Sequence, residues 1–134
     1  MAKPAPQPRR FPALLRQRAA SFGYAFRGVA AALRTEVHLR FHAAATVAVL
    51  GLGWYFGLAR WEWALVALSV GLVWSLELVN TAVEAVVNLV SPEYHPLAGR
   101  AKDVAAGAVL VGALAALAIG LLIFGPRVWA LWGA

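Results

Sequence analysis

Two carboxylates stand within an apolar stretch that is long enough to cross a lipid bilayer. Residues 63–90 contain no charged side chain besides Glu77 and Glu84, and an α-helix needs only about 20 apolar residues to span the hydrocarbon core. A carboxylate at bilayer depth costs roughly 2.5–3.5 kcal/mol on insertion scales. Spacings of three and seven residues put Glu77, Asn80 and Glu84 on one helical face. We therefore expect this helix to form one wall of an intramembrane polar site.

The composition is that of a membrane protein rather than of a soluble one. Hydrophobic residues make up 62% of the 134-residue chain and charged residues only 13%, against about 25% charged residues in soluble domains. This length predicts a single domain. The chain contains no cysteine, so it has neither a disulfide framework nor a thiolate metal site. No apolar run follows Arg9 and Arg10, so we expect neither a cleavable signal peptide nor a twin-arginine signal.

Positive charge is concentrated at the N-terminal end of the chain. The net charge is +6. Every charged residue before Glu36, the first acidic residue, is basic. These basic residues are Lys3, Arg9, Arg10, Arg16, Arg18, Arg27 and Arg34. A basic segment of this kind occurs in nucleic-acid-binding proteins, but beside long apolar runs it is more typical of a cytoplasmic segment that attracts anionic lipid. We therefore expect a cytoplasmic N-terminus and no nucleic-acid partner.

The hydrophobic pattern predicts an all-α membrane protein with one surface helix and three spans. Near the N-terminus, apolar residues recur at helical spacing between arginines, which is typical of an amphipathic helix on a membrane surface. Three longer apolar segments follow. The predicted elements are a disordered cytoplasmic tail at 1–10, a surface helix at about 11–35, spans at about 38–58, 61–90 and 100–124, and a short outer tail at 127–134. We expect the helices to form one membrane domain over residues 11–126.

Three spans with a cytoplasmic N-terminus place the C-terminus outside and residues 91–100 inside. The basic residues agree with this topology, because Arg100 and Lys102 then lie inside, and only Arg60 and Arg127 lie outside. Three helices make a thin bundle for a site with several polar walls, and the third span is rich in small residues that allow close helix contacts. We therefore expect self-association, with the site shared between copies.

Acidic residues on the predicted cytoplasmic half are candidates for metal binding and catalysis. They are Glu36, Glu77, Glu84, Glu93 and Asp103. Glu36, Glu84 and Asp103 lie at helix ends, and we expect them to meet at one depth. Carboxylate oxygens suit Mg²⁺, which commonly takes one or two carboxylates plus substrate phosphates, and Arg100 and Lys102 suit phosphate oxygens. Glu77 lies about 10 Å deeper than Glu84, which suits a general base for a hydroxyl presented from the lipid.

Each of these residues also has a structural interpretation. Glu36 and Asp103 are compatible with ordinary charges at helix ends, and Asn80 with a hydrogen bond between helices. His38 and His42 form an HxxxH pair with the spacing of a metal site, but no third ligand lies nearby, so interfacial packing or a phosphate contact is favoured over zinc. The sequence contains no GxxxxGK[ST] loop, no GxSxG motif and no kinase catalytic-loop pattern.

Two segments, Glu77–Glu84 and Ser91–Asp103, resemble the signature ELxNTAxE…EYHxLxxxAKD of the small prokaryotic diacylglycerol kinase and undecaprenol kinase family. Residues Ser21–Gly28 and Glu36 match as well, so the resemblance covers about residues 20–124. It implies a protein of the prokaryotic cytoplasmic membrane with a surface helix and three spans. It further implies a homotrimer with shared active sites that uses Mg²⁺ and transfers the γ-phosphate of ATP to a lipid alcohol.

The resemblance also implies roles for individual residues. Glu77 corresponds to the catalytic base, Glu36 and Glu84 to metal-binding carboxylates, and Asn80 to a supporting residue. Positions that match nucleotide-binding residues are Tyr24, Glu36, Glu84, Glu93, His95, Lys102 and Asp103, with Arg100 as a further supporting residue. A nucleotide-contacting arginine of some members aligns with Gln17, which leaves Arg16 and Arg18 as alternatives for that role. Asn88 replaces an acidic residue common in the family and receives no role.

The segment Thr35–His42 resembles the ExNxRxH pattern of the undecaprenol kinase branch, with His38 where asparagine is usual. Members of the diacylglycerol branch more often carry an acidic residue at the position of His42. We therefore favour undecaprenol as the acceptor, with diacylglycerol as the alternative.

Two non-enzymatic functions also suit a small bundle with a buried carboxylate. A proton-coupled transporter of cationic compounds could exchange a proton for its substrate at Glu77, but nothing polar lines the outer half of any predicted span. A membrane assembly subunit could pack through the third span, but this function leaves Glu36, Glu84 and Asp103 unexplained.

Overall fold

Over residues 11–132 the chain folds into four consecutive α-helices. The computed structural model describes residues 11–132, with side chains described for residue 18 and residues 20–132. The helices are α1 (Phe11–Thr35), α2 (Val37–Tyr55), α3 (Arg60–Val90) and α4 (Pro96–Trp132). Over this part of the chain there is no β-strand, so the predicted all-α class is confirmed. The tail predicted at residues 1–10 lies outside the described residues.

A single extended residue separates α1 from α2. Glu36 has φ −93° and ψ 117°, and its carboxylate accepts a hydrogen bond of 2.9 Å from the Thr35 hydroxyl. Ala32 and Leu39 are buried on either side of this break, and α1 contacts both α2 and α3. The large side chains near the middle of α1, such as Phe22, are exposed, which suits a helix that lies on a membrane surface.

The turn between α2 and α3 depends on two glycines. Gly57 has a φ of +62°, a left-handed conformation that favours glycine. Gly53 packs against the indole of Trp63, and a Cβ atom at Gly53 would lie 2.8 Å from that ring. The absence of a side chain at Gly53 therefore lets the ends of α2 and α3 approach closely.

The hairpin of α3 and α4 is the most extensive helix pair in the structure. Residues on one face of α3 are buried at spacings of three and four: Glu62, Val66, Ser69, Val73 and Glu77. On α4, Gly112 is buried against Leu76, in a position where a Cβ atom would overlap the leucine side chain. Small residues thus allow the two helices to pack closely, as expected for the third predicted span.

An ion pair between a half-buried arginine and a buried carboxylate joins the start of α3 to the end of α4. Arg127 Nη2 lies 2.8 Å from Glu62 Oε2, and the two side chains are 30% and 6% exposed. The same carboxylate oxygen accepts a hydrogen bond from the backbone N–H of Ala59 at 2.8 Å. No local pattern indicates that a residue 65 positions away would lie beside Glu62, so Glu62 was not among the predicted site residues.

The helix α4 extends beyond the predicted third span at both ends. It begins at Pro96 rather than near residue 100, and it continues through Pro126 to Trp132, so part of the predicted outer tail is helical. Proline removes one backbone donor from the helix. Beside that break, the Arg127 guanidinium donates a hydrogen bond to the carbonyl of Ile123 at 2.5 Å.

Two helices, α3 and α4, are long and apolar enough to cross a membrane. Two of the three predicted spans therefore have the length and hydropathy of membrane helices. The helix α2 is not one of these two helices. Its first turns carry His38, Arg40 and His42.

Replacing Arg127 with methionine should destabilise the protein by about 2–4 kcal/mol, because the substitution leaves the Glu62 carboxylate buried without its cation. Thermal unfolding in detergent measures the effect as a lower Tm. The matched control is Arg60→Met, since Arg60 is exposed and lies two residues from Glu62. An equal loss of stability in the two variants would show that the ion pair does not hold the hairpin end together.

Candidate active site

Glu77 lies in the middle of α3 and is bonded to a residue of α2. It is only 5% exposed, and its Oε1 lies 3.0 Å from Nε2 of His42. An ionised carboxylate can only accept hydrogen bonds, so Nε2 carries the proton when Glu77 is charged. The expected buried carboxylate is therefore present, and it has a specific partner.

A second hydrogen-bonded contact lies one helical turn from the first. The indole Nε1 of Trp74 donates to the Thr46 hydroxyl at 3.1 Å, and that hydroxyl donates to the backbone carbonyl of His42 at 2.7 Å. Trp74 precedes Glu77 by three residues, whereas Thr46 follows His42 by four. The antiparallel helices α2 and α3 are thus joined by two polar contacts that fix their relative depth.

Asn80 and Glu84 continue the polar face of α3 toward its C-terminal end. Both are half-buried, and Asn80 Nδ2 donates to Glu84 Oε1 at 3.1 Å. The Oδ1 atom of Asn80 is buried without a hydrogen-bond partner among the described residues. The spacing argument thus placed Glu77, Asn80 and Glu84 correctly on one face, and the face includes an unsatisfied oxygen acceptor.

The oxygen atoms of Asn80 and Glu84 fit a hard divalent cation. Carboxylate and amide oxygens are typical ligands for such ions, and Mg²⁺ commonly binds through one or two carboxylates together with phosphates and water. Within residues 11–132, however, no three acidic, histidine or cysteine side chains converge on a metal position.

The expected meeting of Glu36, Glu84 and Asp103 is therefore not formed within one chain. Glu36 is half-buried and bonded to Thr35, and Asp103 is exposed on α4. Glu36 stands between α1 and α2, whereas Glu84 lies on α3 and Asp103 on α4, and no local pattern fixes the distances between them.

The loop before α4 orders its own residues through local hydrogen bonds. His95 precedes the first helical residue, Pro96, and its Nδ1 accepts a 3.2 Å hydrogen bond from the N–H of Leu97. The Ser91 hydroxyl donates to the carbonyl of Glu93 at 3.1 Å. His95 thus caps the helix N-terminus, where proline is also favoured, while the side chains of Glu93 and His95 remain exposed.

Lys102 of α4 is hydrogen-bonded to a residue of α3 rather than to an acidic neighbour. Its Nζ donates to Asn88 Oδ1 at 2.9 Å, which gives a contact to a residue that sequence analysis left without a role. Arg100 and Asp103 are exposed nearby on α4. Two cations and one carboxylate thus lie at the end of the hairpin that also carries Glu84.

Tyr24 stands apart from the polar face of α3. It is exposed on α1, and the Arg27 guanidinium carbon lies 4.6 Å from the centre of its ring, which is a cation–π distance. Arg18 is exposed on the same helix. The side chains of Arg16 and Gln17 lie outside the described part of the structure.

Comparison with known proteins identifies the family. Residues 23–124 match the family described as prokaryotic diacylglycerol kinase. The chain belongs to this family. It is 50% identical over 107 residues to the undecaprenol kinase of Bacillus subtilis (strain 168), a match that covers 80% of this chain and 87% of that protein.

Other members of the family are named for a different lipid. The chain is 35% identical over 95 residues to the diacylglycerol kinase of Escherichia coli (strain K12), with coverage of 71% of this chain and 78% of that protein. It is 46% identical over 101 residues to the diacylglycerol kinase of Synechocystis sp. (strain ATCC 27184 / PCC 6803 / Kazusa), covering 75% of this chain and 58% of that protein.

These matches confirm the resemblance inferred from the two motifs and the expected class of ATP-dependent lipid kinase. The matched region begins within three residues of the expected boundary at residue 20 and ends at residue 124. It contains every candidate site residue from Tyr24 to Asp103. The roles of the individual residues and the use of Mg²⁺ stay predictions.

Sequence analysis missed the residues that hold the polar site in place. His42 was considered as a metal-pair member and as a marker of the undecaprenol branch, but not as the partner of Glu77. Thr46 and Trp74 received no role. A usable signal was present, because a polar hydroxyl and an indole N–H in apolar segments each need a partner when buried. Which residue supplies that partner is decided only by the packing of α2 on α3.

We predict that His95→Ala speeds amide hydrogen exchange at Leu97 by about fivefold, because losing an N-terminal cap costs roughly 1 kcal/mol. His95→Asn should restore protection, since asparagine is a strong capping residue. The control is Tyr94→Ala, a change at the exposed neighbouring position. Equal exchange in the wild type and His95→Ala would contradict the capping role.

Proposed function

We propose that the chain phosphorylates a polyprenol in the membrane, with undecaprenol as the favoured acceptor and ATP as the phosphate donor. The 50% identity to a protein named undecaprenol kinase supports this substrate, as does the pattern at residues 35–42. Diacylglycerol is the second candidate, because the family description and further relatives carry that name.

The observation that carries the proposal is an apolar cavity beside the polar face of α3. The cavity has a volume of about 320 Å³ and lies between α2, α3 and α4. Val73, one turn from Glu77, lines it together with His42, the hydrogen-bond partner of Glu77. Most of the wall is aliphatic or aromatic, including Val49, Leu117 and Phe124. A hydrocarbon chain in this cavity would bring an attached hydroxyl group to the buried carboxylate.

Glu77 is suited to act as the general base. As the lipid hydroxyl oxygen bonds to the γ-phosphorus, the hydroxyl proton passes to the Glu77 carboxylate, and the bond from the γ-phosphorus to the β–γ bridging oxygen breaks to release ADP. Proton transfer of this kind contributes about 10²–10⁴-fold to a rate. The low exposure of Glu77 keeps competing water away from the proton acceptor.

The remaining residues position the nucleotide. Phosphoryl transfer depends mainly on alignment and electrostatic stabilisation, so a few charged groups suffice. Glu84 and Asn80, with Glu36, would hold Mg²⁺, which offsets the negative charge of the phosphates when bound. Lys102 supplies a cation for the phosphoryl oxygens. Glu93, His95 and Asp103, with Tyr24 of α1 and Arg100 in support, complete the proposed nucleotide site.

The proposed site is completed in a membrane-embedded homotrimer. In this arrangement α2 spans the membrane with α3 and α4, the N-terminus is cytoplasmic and the C-terminus is outside. Two observations support assembly: the proposed metal-binding carboxylates do not converge within one chain, and α3 exposes large apolar side chains such as Leu68 and Val79. A neighbouring copy would cover such side chains and bring its own α1 to the site.

The decisive assay supplies the reconstituted protein with labelled ATP, Mg²⁺ and either undecaprenol or diacylglycerol, and measures labelled lipid phosphate. We expect higher kcat/KM with undecaprenol. Glu77→Gln should lower kcat by about 10²-fold or more, because the amide cannot accept the proton. Glutamine keeps an oxygen acceptor for His42, so the oligomeric state and Tm should match the wild type.

Normal turnover in Glu77→Gln would rule out Glu77 as the base. A higher kcat/KM with diacylglycerol would reassign the acceptor while leaving the chemistry in place. Proton flux across the vesicle membrane without any phosphorylated lipid would favour the transporter function.

Glu84→Gln should raise the Mg²⁺ concentration needed for half-maximal activity, and the KM for ATP, by about tenfold or more, because the variant loses a charged oxygen ligand. Titration of Mg²⁺ at saturating lipid measures this effect. The KM for the lipid is the internal control and should change little. A fall in kcat with an unaltered Mg²⁺ response would contradict the assignment of Glu84 as a metal ligand.

A further inference from the structure

We propose that His42 is a positioning residue for Glu77, in that its Nε2–H holds carboxylate Oε1 so that Oε2 faces the incoming lipid hydroxyl. The inference rests on the lipid kinase function proposed above and adds a residue to its mechanism. It concerns α2, whereas the proposed base itself lies on α3.

Buried Glu77 is paired with half-buried His42. The side chains of His42 and Glu77 are only 19% and 7% exposed, and the contact atoms lie 3.0 Å apart. A buried charge is strongly destabilising without a partner, and His42 is the only hydrogen-bonding side chain that the described residues bring to Glu77. The hydrogen bond therefore selects the orientation of the carboxylate.

The backbone that carries the imidazole is also tied to α3. The Thr46 hydroxyl bonds to the carbonyl of His42, and the Trp74 indole bonds to that hydroxyl. The ring of Phe41 meets the imidazole edge-on, with 5.7 Å between ring centres. These contacts fix the depth of α2 against α3, so Nε2 is presented to Glu77 at a defined height.

The two carboxylate oxygens of Glu77 differ in their hydrogen bonding. His42 engages Oε1, and no described residue donates a hydrogen bond to Oε2. His42 also lines the apolar cavity, so the carboxylate that it orients stands next to the proposed path of the lipid chain. In the proposed reaction the hydroxyl proton moves to Oε2, while the hydrogen bond between His42 and Oε1 persists.

The test compares two amide side chains at position 42 whose nitrogen atoms correspond to different nitrogen atoms of the imidazole. The amide nitrogen of glutamine reaches about as far as Nε2, whereas that of asparagine corresponds to Nδ1 and falls short of Glu77. We expect His42→Gln to keep kcat within about fivefold of the wild type, and His42→Asn and His42→Leu to lose about a hundredfold, the size of effect that a misplacement of 1 Å can cause. The KM for ATP should stay within about twofold in all three.

His38→Leu is the matched control, because His38 lies one turn away on α2 and is exposed; it should leave kcat unchanged. Trp74→Phe removes the indole N–H while keeping an aromatic ring, and should lower kcat by about threefold to tenfold. This milder variant keeps the inference testable if His42→Leu fails to fold.

The outcomes distinguish the positioning role of His42 from the proposed kinase function. Wild-type kcat in His42→Leu, or equal activity in His42→Gln and His42→Asn, would overturn the positioning role while leaving the kinase function intact. Loss of Tm in parallel with loss of kcat across the series would show a purely structural role. Absence of lipid phosphate with the wild-type protein would overturn the kinase function and the inference together.

Discussion

The architecture depends on partners for carboxylates that lie inside apolar helices. The helix α3 buries two of them, and each is paired with a different neighbouring helix: Glu62 with Arg127 of α4, and Glu77 with His42 of α2. Fifteen residues separate them, which is about 22 Å along a helix. Because an unpaired buried charge is strongly unfavourable, each pair accepts only one relative depth of the helices, whereas apolar packing tolerates many. These polar contacts therefore set the register of the bundle.

The buried polar side chains of α3 differ in how many hydrogen-bond partners they have. The Glu62 carboxylate receives both a guanidinium and a backbone N–H, Glu77 receives one imidazole, and Asn80 has a buried oxygen with no partner within residues 11–132. Ser69 Oγ, in the wall of the apolar cavity, is likewise buried without a partner in this part of the chain. Because buried polar atoms in native proteins are nearly always bonded, both atoms mark places where a ligand would supply the missing contact. The Glu62 carboxylate thus has more partners than that of Glu77, which suits a structural role for Glu62 and a reactive one for the proposed base.

Sequence patterns predicted what is local and missed what depends on tertiary packing. The bounds of α1 match the predicted surface helix, and α3 begins one residue before the predicted second span, because hydrophobic periodicity and turn residues define both. The start of α4 was predicted about four residues late, since the capping by His95 involves a histidine rather than a common capping residue. Its end was predicted too early, because Pro126 is accommodated inside the helix.

In the candidate site, too, the local features were predicted and the tertiary contacts were not. The common face of Glu77, Asn80 and Glu84 follows from spacing on one helix, but the hydrogen bond from His42 joins residues 35 positions apart and follows from no spacing. The pattern that favours undecaprenol, at residues 35–42, ends at two residues that line the apolar cavity, Phe41 and His42. In the proposed enzyme, the start of α2 would therefore influence both which lipid enters the cavity and how the base on α3 is oriented. A substitution there would change substrate preference and turnover together, whereas one near Glu84 would act on the nucleotide alone.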